Sequence, residues 1–407
     1  MKYVIVIGDG MADYPIASLG GKTPLEAADT PNFDFIASHG ITGTMQTVPD
    51  GMVPESDTAN LAIMGYDPKI YSHGRSPLEA ASMGIDLKPH QTAIRANLVA
   101  LSDDGKPYDE KIMLDHSSSE IPTEEARVLI EYCDEKLCGV GQKLYTGVSY
   151  RHCFVYDDAP EFTDFSRPHD ILGRQITDYL PRSESSAPFL ELMRKSFDIL
   201  NDHPLNVERA QKGLKKANSL WFWSPGKKPL LPSFKEKTGL DGSVICAVDL
   251  IKGIGKCACL DTPYVEGATG GCVTDYTAKA NAAIRELEFG KDFVYIHVEA
   301  PDECGHKGDV DAKIAAIENI DKKIVGVLLE KLSRSGEPFR IAVLPDHPTP
   351  ISLRTHARDP IPFAVYSSEK DVASPVGNYS EASARTSGIH ICDGSTFIER
   401  FINDNFA

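Results

Sequence analysis

The pair Asp346-His347 closes the run Ile341-Ala-Val-Leu-Pro345, an apolar strand-type segment stopped by a proline. An aliphatic strand ending in side chains that cannot be buried unpaired is how a parallel sheet delivers chemistry at its carboxyl end. The pattern recurs elsewhere in the chain. Tyr3 to Ile7 runs into Gly8-Asp-Gly10, where the glycines permit a tight turn and expose the Asp9 carboxylate. Asp292-Phe-Val-Tyr-Ile-His-Val298 runs into Pro301-Asp-Glu-Cys-Gly-His306, with Asp302 and His306 spaced i, i+4. That spacing aligns them on a helix face, although Pro301 and Gly305 suit a loop equally well. His356 follows, ahead of Asp359-Pro. Ser56, in Pro54-Glu-Ser-Asp-Thr-Ala-Asn60, leads an apolar helix-like run whose free N–H groups favour an anion.

Taken singly, these are turn aspartates, surface histidines and an N-cap serine. Recurring together at four places in the chain, they point to one site. Carboxylate and imidazole donors suit Zn²⁺ or Mn²⁺, and Asp9, Ser56, Asp302, His306, Asp346, His347 and His356 exceed what one ion needs. Two ions would clamp a phosphoryl group and turn a serine hydroxyl into a nucleophile.

Strands alternating with helices position these residues. After Ser243 to Val248, the order is a helix over 275–288, a strand over 292–298, a long amphipathic helix over 314–332, and the strand before Asp346. Pro362 to Tyr366 is the last strand of the series. Between about 91 and 229 the pattern changes, and past the Ser102-Asp-Asp-Gly105 turn the composition is more polar. That stretch reads as a strand over 92–101, a helix over 123–137, a strand over 150–156, a helix over 186–201 and a proline-bearing loop over 224–232. The rhythm predicts one open parallel α/β sheet interrupted by an inserted α+β unit.

Length and composition agree. The 407 residues suffice for two or three units, and 42% hydrophobic with 25% charged residues describes a globular chain with a large core. A net charge of −17 argues against nucleic acid or an anionic membrane as the main partner. No run approaches the ~20 apolar residues of a membrane span. The nine cysteines are scattered without a paired framework, and Cys257 and Cys259 would share a strand face. A cytoplasmic protein with reduced thiols is expected.

Gly8-Asp-Gly-Met11, Pro54-Glu-Ser-Asp-Thr-Ala-Asn60, Pro301-Asp-x-x-x-His306, Pro345-Asp-His347 and His356-x-x-Asp-Pro resemble motifs of the alkaline-phosphatase superfamily. More closely, the chain resembles the archaeal-type 2,3-bisphosphoglycerate-independent phosphoglycerate mutases. Gly74-Arg-x-Pro-Leu-Glu-Ala-Ala81 and Pro232-Ser-Phe234 carry no obvious chemistry and serve as family markers. The resemblance implies an alkaline-phosphatase-like open, mostly parallel sheet flanked by helices, formed by residues 1–90 and 230–407. Residues 91–229 would be the inserted substrate-gripping lid. It implies one metal at Asp302, His306 and His356, and another at Asp9, Ser56, Asp346 and His347. Mn²⁺ is the first expectation, with Zn²⁺, Mg²⁺ or Co²⁺ as alternatives, and no bisphosphoglycerate is needed. Ser56 would take the phosphoryl group from 3-phosphoglycerate and return it to the other hydroxyl. A small phosphorylated substrate is the expected partner, and a homo-oligomer is compatible with the sequence.

A carboxylate and a phosphate ask for paired N–H donors, and Arg75, Arg95, His116, Arg151 and Lys252 are the candidates. The sequence departs from the mutase pattern at Ser117-Ser-Ser-Glu120, where a basic residue usually follows small ones. Trp221-Phe-Trp-Ser-Pro-Gly-Lys-Lys228 is characteristic of a bacterial branch proposed, by analogy, to phosphorylate homoserine. The same machinery could therefore serve a homoserine-kinase-like phosphotransferase or a phosphomonoesterase. A metal-stabilised binding protein that has lost catalysis is the reading from another class, and the complete set of nucleophile and ligand types opposes it.

Overall fold

The computed structural model describes residues 1–72, 74–370 and 373–406. The chain divides into two compact units, Met1–Ser72 with Leu230–Ala407, and His73–Pro229.

Strands are numbered in chain order. The first unit contains β1 (Lys2–Gly8), β2 (Ile41–Met45), β8 (Gly242–Ile245), β9 (Phe293–Val298), β10 (Phe339–Leu344), β11 (Ile361–Ser367) and β12 (His390–Ile391). They form one sheet in the order β12-β2-β11-β10-β1-β9-β8. β1 lies at its heart, parallel to β10 on one side and to β9 on the other. Val4, Ile5, Val6 and Ile7 are all fully buried, so both faces of β1 are covered. This is why the segment reads as a continuous apolar run and not as an alternating one.

The strand ending the expected series departs from the parallel pattern, since β11 runs antiparallel to both β10 and β2. Its amino end therefore sits at the edge where the parallel strands end. The 345–360 segment can stay at that edge, with His356 in it, because it needs no crossover helix. The long helix expected over 314–332 is Val310–Ile320 and Gly326–Ser335 joined by a π-helical turn, Asp321–Val325. The buried Asp321 carboxylate accepts from Phe33 N at 2.7 Å and Asn32 Nδ2 at 2.8 Å, contacts that hold the widened turn in register. Cys257 and Cys259 share no strand: Cys257 ends a helix, Asp249–Cys257, and Cys259 is exposed in a turn at φ 58°.

The second unit contains β3 (Gln91–Leu101), β4 (Met113–Asp115), β5 (Gln142–Tyr145), β6 (Arg151–Asp157) and β7 (Ser219–Lys227), all paired antiparallel. Helices Thr123–Leu137 and Ala187–Leu200 pack with this sheet around Leu129, Phe154, Phe189 and Trp221. Ser224 to Lys227, expected as loop, extends β7. Pro225 is tolerated because β7 pairs on one side only and its register with β3 shifts between Ala93 and Arg95. The division falls at residue 72 and not at 90. The helix Ser76–Ser82 packs on β3, β6 and β7, and Ala80 joins Leu87, Ala93, Cys153 and Val155 in a small core.

Candidate active site

Seven residues expected to act together are brought to one edge of the first unit's sheet. Asp9 follows β1 directly, its amide donating to Val298 O at 2.9 Å. The chain then turns through Gly10 at φ 60°. A β-carbon there would lie 2.5 Å from Thr349 Oγ1 and 2.8 Å from the Asp302 Cα, so only glycine lets the Asp302 backbone approach. After β9, Ala300–Lys307 is a helix with Pro301 in its first turn, which settles the i, i+4 alignment of Asp302 and His306. Ser56 opens the helix Ser56–Ile63.

The hydrogen bonds fix the histidine tautomers. His306 Nδ1 lies 3.0 Å from Arg354 O, and His356 Nδ1 lies 2.8 Å from Pro54 O. A carbonyl only accepts, so both rings carry a proton on Nδ1 and turn Nε2 inward, where the neutral ring offers a lone pair. Those Nε2 atoms are 3.0 Å apart, and they lie 3.2 Å (His306) and 3.5 Å (His356) from the Asp302 carboxylate. Thr349 donates its hydroxyl to Asp302 and lies 3.3 Å from His347 Nδ1, which makes it the acceptor for that ring. His347 Nε2 is thereby left facing Ser56 Oγ at 3.1 Å and Asp9 Oδ1 and Asp346 Oδ2, each at 3.6 Å.

Three donor groups result, each with its ligand atoms within 4.8 Å: Asp302, His347 and His356; Asp9, Asp346 and His347; and Asp9, His297 and Glu299. Both Asp9 oxygens are fully buried without a hydrogen-bond partner among the described residues. Opposed lone pairs and orphaned buried carboxylate oxygens are unfavourable unless a cation lies between them, so the donor set fits divalent metal. The electrostatics agree. Burial, with Asp346, Asp302 and Glu299 close by, pushes the Asp9 carboxyl well above its usual range. Burial works in the same direction on Asp302, but His306 and His356 outweigh it and hold that carboxyl well below the usual range. The His306 imidazole rises to about 9 through its bond to Asp302. Burial lowers His347, against the pull of Asp346.

Further residues join the site that sequence reasoning assigned no role. Asn60 is fully buried and donates to Asp346 Oδ2 and Ser56 O, both at 2.8 Å, while accepting from the Tyr295 hydroxyl. Its position four residues after Ser56, on the same helix face, was the available signal. His297 Nε2 is 3.4 Å from Asp9 Oδ2 and its Nδ1 3.6 Å from Glu299 Oε2. A histidine inside an otherwise apolar strand was the clue there. Burial takes His297 down to about 4 and Glu299 well up. Lys279, 1% exposed, donates to His297 O at 2.9 Å, and burial lowers its ammonium to about 8.

The expected substrate-gripping residues divide between the units. Lys252 lies in the first, on the helix Asp249–Cys257, with Nζ 3.8 Å from Asp249. Arg75, Arg95, His116 and Arg151 lie in the second. There the charges of Arg75 and Arg151 both bear on Arg95, and His116 packs edge-on against Tyr150 at 5.5 Å.

Fold and donor set are those of a divalent-metal-binding α/β protein. The profile of a family described as 2,3-bisphosphoglycerate-independent phosphoglycerate mutase matches residues 37–206. The chain is 47% identical to the 2,3-bisphosphoglycerate-independent phosphoglycerate mutase of Methanosarcina barkeri, over 98% of either chain. It is 45% identical to a probable enzyme of the same name from Geobacter sulfurreducens, over 99% of this chain and 100% of that one. Among solved structures it is similar to a Pyrococcus horikoshii protein, with TM-score 0.82, 28% identity and coverage of 99% and 96%. It is also similar to the cofactor-independent phosphoglycerate mutase of Thermoplasma acidophilum, with TM-score 0.67, 26% identity and coverage of 100% of both chains. The chain belongs to the 2,3-bisphosphoglycerate-independent phosphoglycerate mutase family. Among the described residues, no helix is long and apolar enough to cross a membrane.

Proposed function

We propose that this chain interconverts 3-phosphoglycerate and 2-phosphoglycerate in a metal-dependent reaction that passes through a phosphoserine at Ser56 and needs no bisphosphoglycerate. The observation that carries the reading is the Ser56 hydroxyl, 3.1 Å from His347 Nε2 at the mouth of a helix and beside the buried carboxylates. Asp302, His306 and His356 would hold one divalent ion and Asp9, Ser56, Asp346 and His347 the other. Mn²⁺ is the first candidate, with Zn²⁺, Mg²⁺ or Co²⁺ as alternatives. Such ions supply positive charge that favours an ionised serine and neutralises charge developing on the phosphoryl oxygens.

The protein's own part is positioning. Ser56 Oγ forms its bond to phosphorus as the bond to the substrate's 3-oxygen breaks. In the return step the 2-hydroxyl attacks and Ser56 Oγ leaves. First-turn N–H groups of the Ser56–Ile63 helix have no acceptor inside the helix, and the helix dipole favours the phosphorylated serine. Asn60 ties that helix to Asp346, so nucleophile and donor set move as one body. Arg75, Arg95, His116, Arg151 and Lys252 are the candidates for holding glycerate between the two transfers. Exclusion of water over that interval separates a mutase from a phosphatase.

The test is an enolase-coupled assay with 3-phosphoglycerate and Mn²⁺, without added bisphosphoglycerate, beside a free-phosphate assay. Enolase-dependent product without free phosphate supports the reading. Free phosphate alone, or phosphoryl transfer to homoserine, assigns the machinery to another acceptor.

A further inference from the structure

In the second unit, β3 carries Arg95 directly across from Trp223 of β7, so both side chains rise from the same face of the sheet. The Arg95 guanidinium lies over the Trp223 ring, 4.2 Å from its centroid. Its Nε is 3.0 Å from Glu79 Oε2, on the helix Ser76–Ser82. The Trp223 ring is itself pinned, because its Nε1 donates to Asn97 Oδ1 at 3.1 Å. Asn97, two residues from Arg95 on the same face, donates in turn toward His116 O at 3.4 Å. The His169 ring stands 5.5 Å from Trp223 and 6.0 Å from His116. Arg95 and Trp223 are only 9% and 5% exposed.

The charges of Arg75 and Arg151 bear on Arg95 as well, and the Glu79 carboxylate meets it at Nε. A guanidinium stacked on a ring and fixed through Nε has its remaining N–H fork aimed in one direction, the geometry that recognises a carboxylate or phosphate bidentately. Burial and the charges of Arg75 and Arg151 disfavour the Arg95 cation against the pull of Glu79, and a bound anion would favour it further.

We propose that Trp223 and Glu79 are positioning residues that fix the Arg95 guanidinium for an anionic group of the substrate. Asn97 sets the plane of the Trp223 ring, and His169 closes the aromatic wall beside it. The inference rests on the proposed function for the identity of the ligand, a small phosphorylated carboxylic acid, and on the geometry alone for the positioning. The Trp221-Phe-Trp223 segment, singled out in the sequence without a role, thereby acquires one: its last ring orients the arginine.

The experiment is a double-mutant cycle in the metal-loaded full chain, read as the Kd of 3-phosphoglycerate by calorimetry and as kcat and KM. Trp223→Leu is expected to raise Kd and KM about tenfold, and Trp223→Phe, which keeps a ring face, only about twofold to threefold. Metal content and kcat should change far less. In an Arg95→Ala background, Trp223→Leu should alter Kd by less than about twofold, because its effect passes through Arg95. Equal losses in both backgrounds, or no change from Trp223→Leu, overturn the proposal. If Trp223→Leu does not fold, Glu79→Gln enters the same cycle with the same criterion. A wild-type chain that binds 3-phosphoglycerate without converting it contradicts the proposed function while the cycle in Kd still decides the positioning. A wild-type chain that does not bind it overturns both.

Discussion

His306 and His356 present their Nε2 atoms to each other at 3.0 Å, each ring donating its Nδ1–H to a main-chain carbonyl. With both rings neutral, two lone pairs would face each other and the Asp302 carboxylate, and in the absence of metal a proton relieves this, which is why His306 rises to about 9. A divalent cation is the simplest group that satisfies all three. Folding has thus committed three side chains from a helix and a distant loop to a charge that the chain itself does not supply.

Removing metal should therefore cost both activity and stability. Exhaustive chelation is expected to abolish turnover and lower the melting temperature, and Mn²⁺ should restore both. An ion present at about 100 times its Kd stabilises by about 2.7 kcal/mol. Calorimetric melting with and without chelator measures this, and an unchanged melting temperature would refute the assignment of the donor set.

Ser56→Ala removes the proposed nucleophile and one Oγ contact with His347, and nothing in the buried core. The variant should fold, keep the ions held by the other donors and lose phosphotransfer by at least about 10³-fold. Rapid quenching of wild type with substrate, followed by peptide mass spectrometry, should find phosphate on the peptide containing Ser56. Phosphate on another residue would reassign the nucleophile.

Asn60→Ala leaves Asp346 Oδ2 and the Tyr295 hydroxyl without the partner each now has. Each orphaned buried group costs about 1–3 kcal/mol, so chemical denaturation should show a loss of at least about 2 kcal/mol. Turnover should fall with it, since the Ser56 helix is no longer tied to Asp346. A fall in turnover without loss of stability would mean that Asn60 acts on the substrate and not through Asp346.

The second unit carries its own pH dependence. Burial, helped by the Arg151 charge, takes the His152 imidazole down to about 3. Its Nδ1 accepts from Gly147 N at 3.1 Å, and its buried Nε2 has no partner among the described residues. Unfolded, the ring takes up a proton near pH 6.5, so the unfolded state binds more protons between about 6.5 and 3. Stability from this group is complete above pH 6.5 and is lost as pH falls below it, at up to about 1.4 kcal/mol per pH unit. His152→Asn retains an acceptor for Gly147 N and should flatten the fall in melting temperature between pH 6.5 and 5. An identical slope in both proteins would contradict this.

The sheet and the grouping of the candidate residues were legible because burial on two faces leaves long apolar runs, as in Tyr3 to Ile7, and because ligand-type residues interrupt them at strand ends. The reversal of β11 was not legible, since Pro362 to Tyr366 has the same composition whichever way it runs. Nor was the π-turn at Asp321, which depends on contacts from Asn32 and Phe33 far away in sequence. Asn60, His297 and Lys279 were hidden for a related reason. Each is a polar residue in a helix or strand whose partner comes from another element, and periodicity records the face but not the neighbour. Arg95 stood out as a basic residue, while the Trp223 ring that orients it is paired through register across the sheet.

The central claim, intramolecular-type phosphoryl exchange through Ser56, is most directly tested by ³¹P NMR of 3-phosphoglycerate with the Mn²⁺-activated chain, the metal chelated after quenching. The account predicts that the 3-phosphoglycerate resonance gives way in part to 2-phosphoglycerate, with total phosphate ester conserved and no inorganic phosphate accumulating. An unchanged spectrum from folded, metal-loaded protein, or conversion to inorganic phosphate alone, would contradict it.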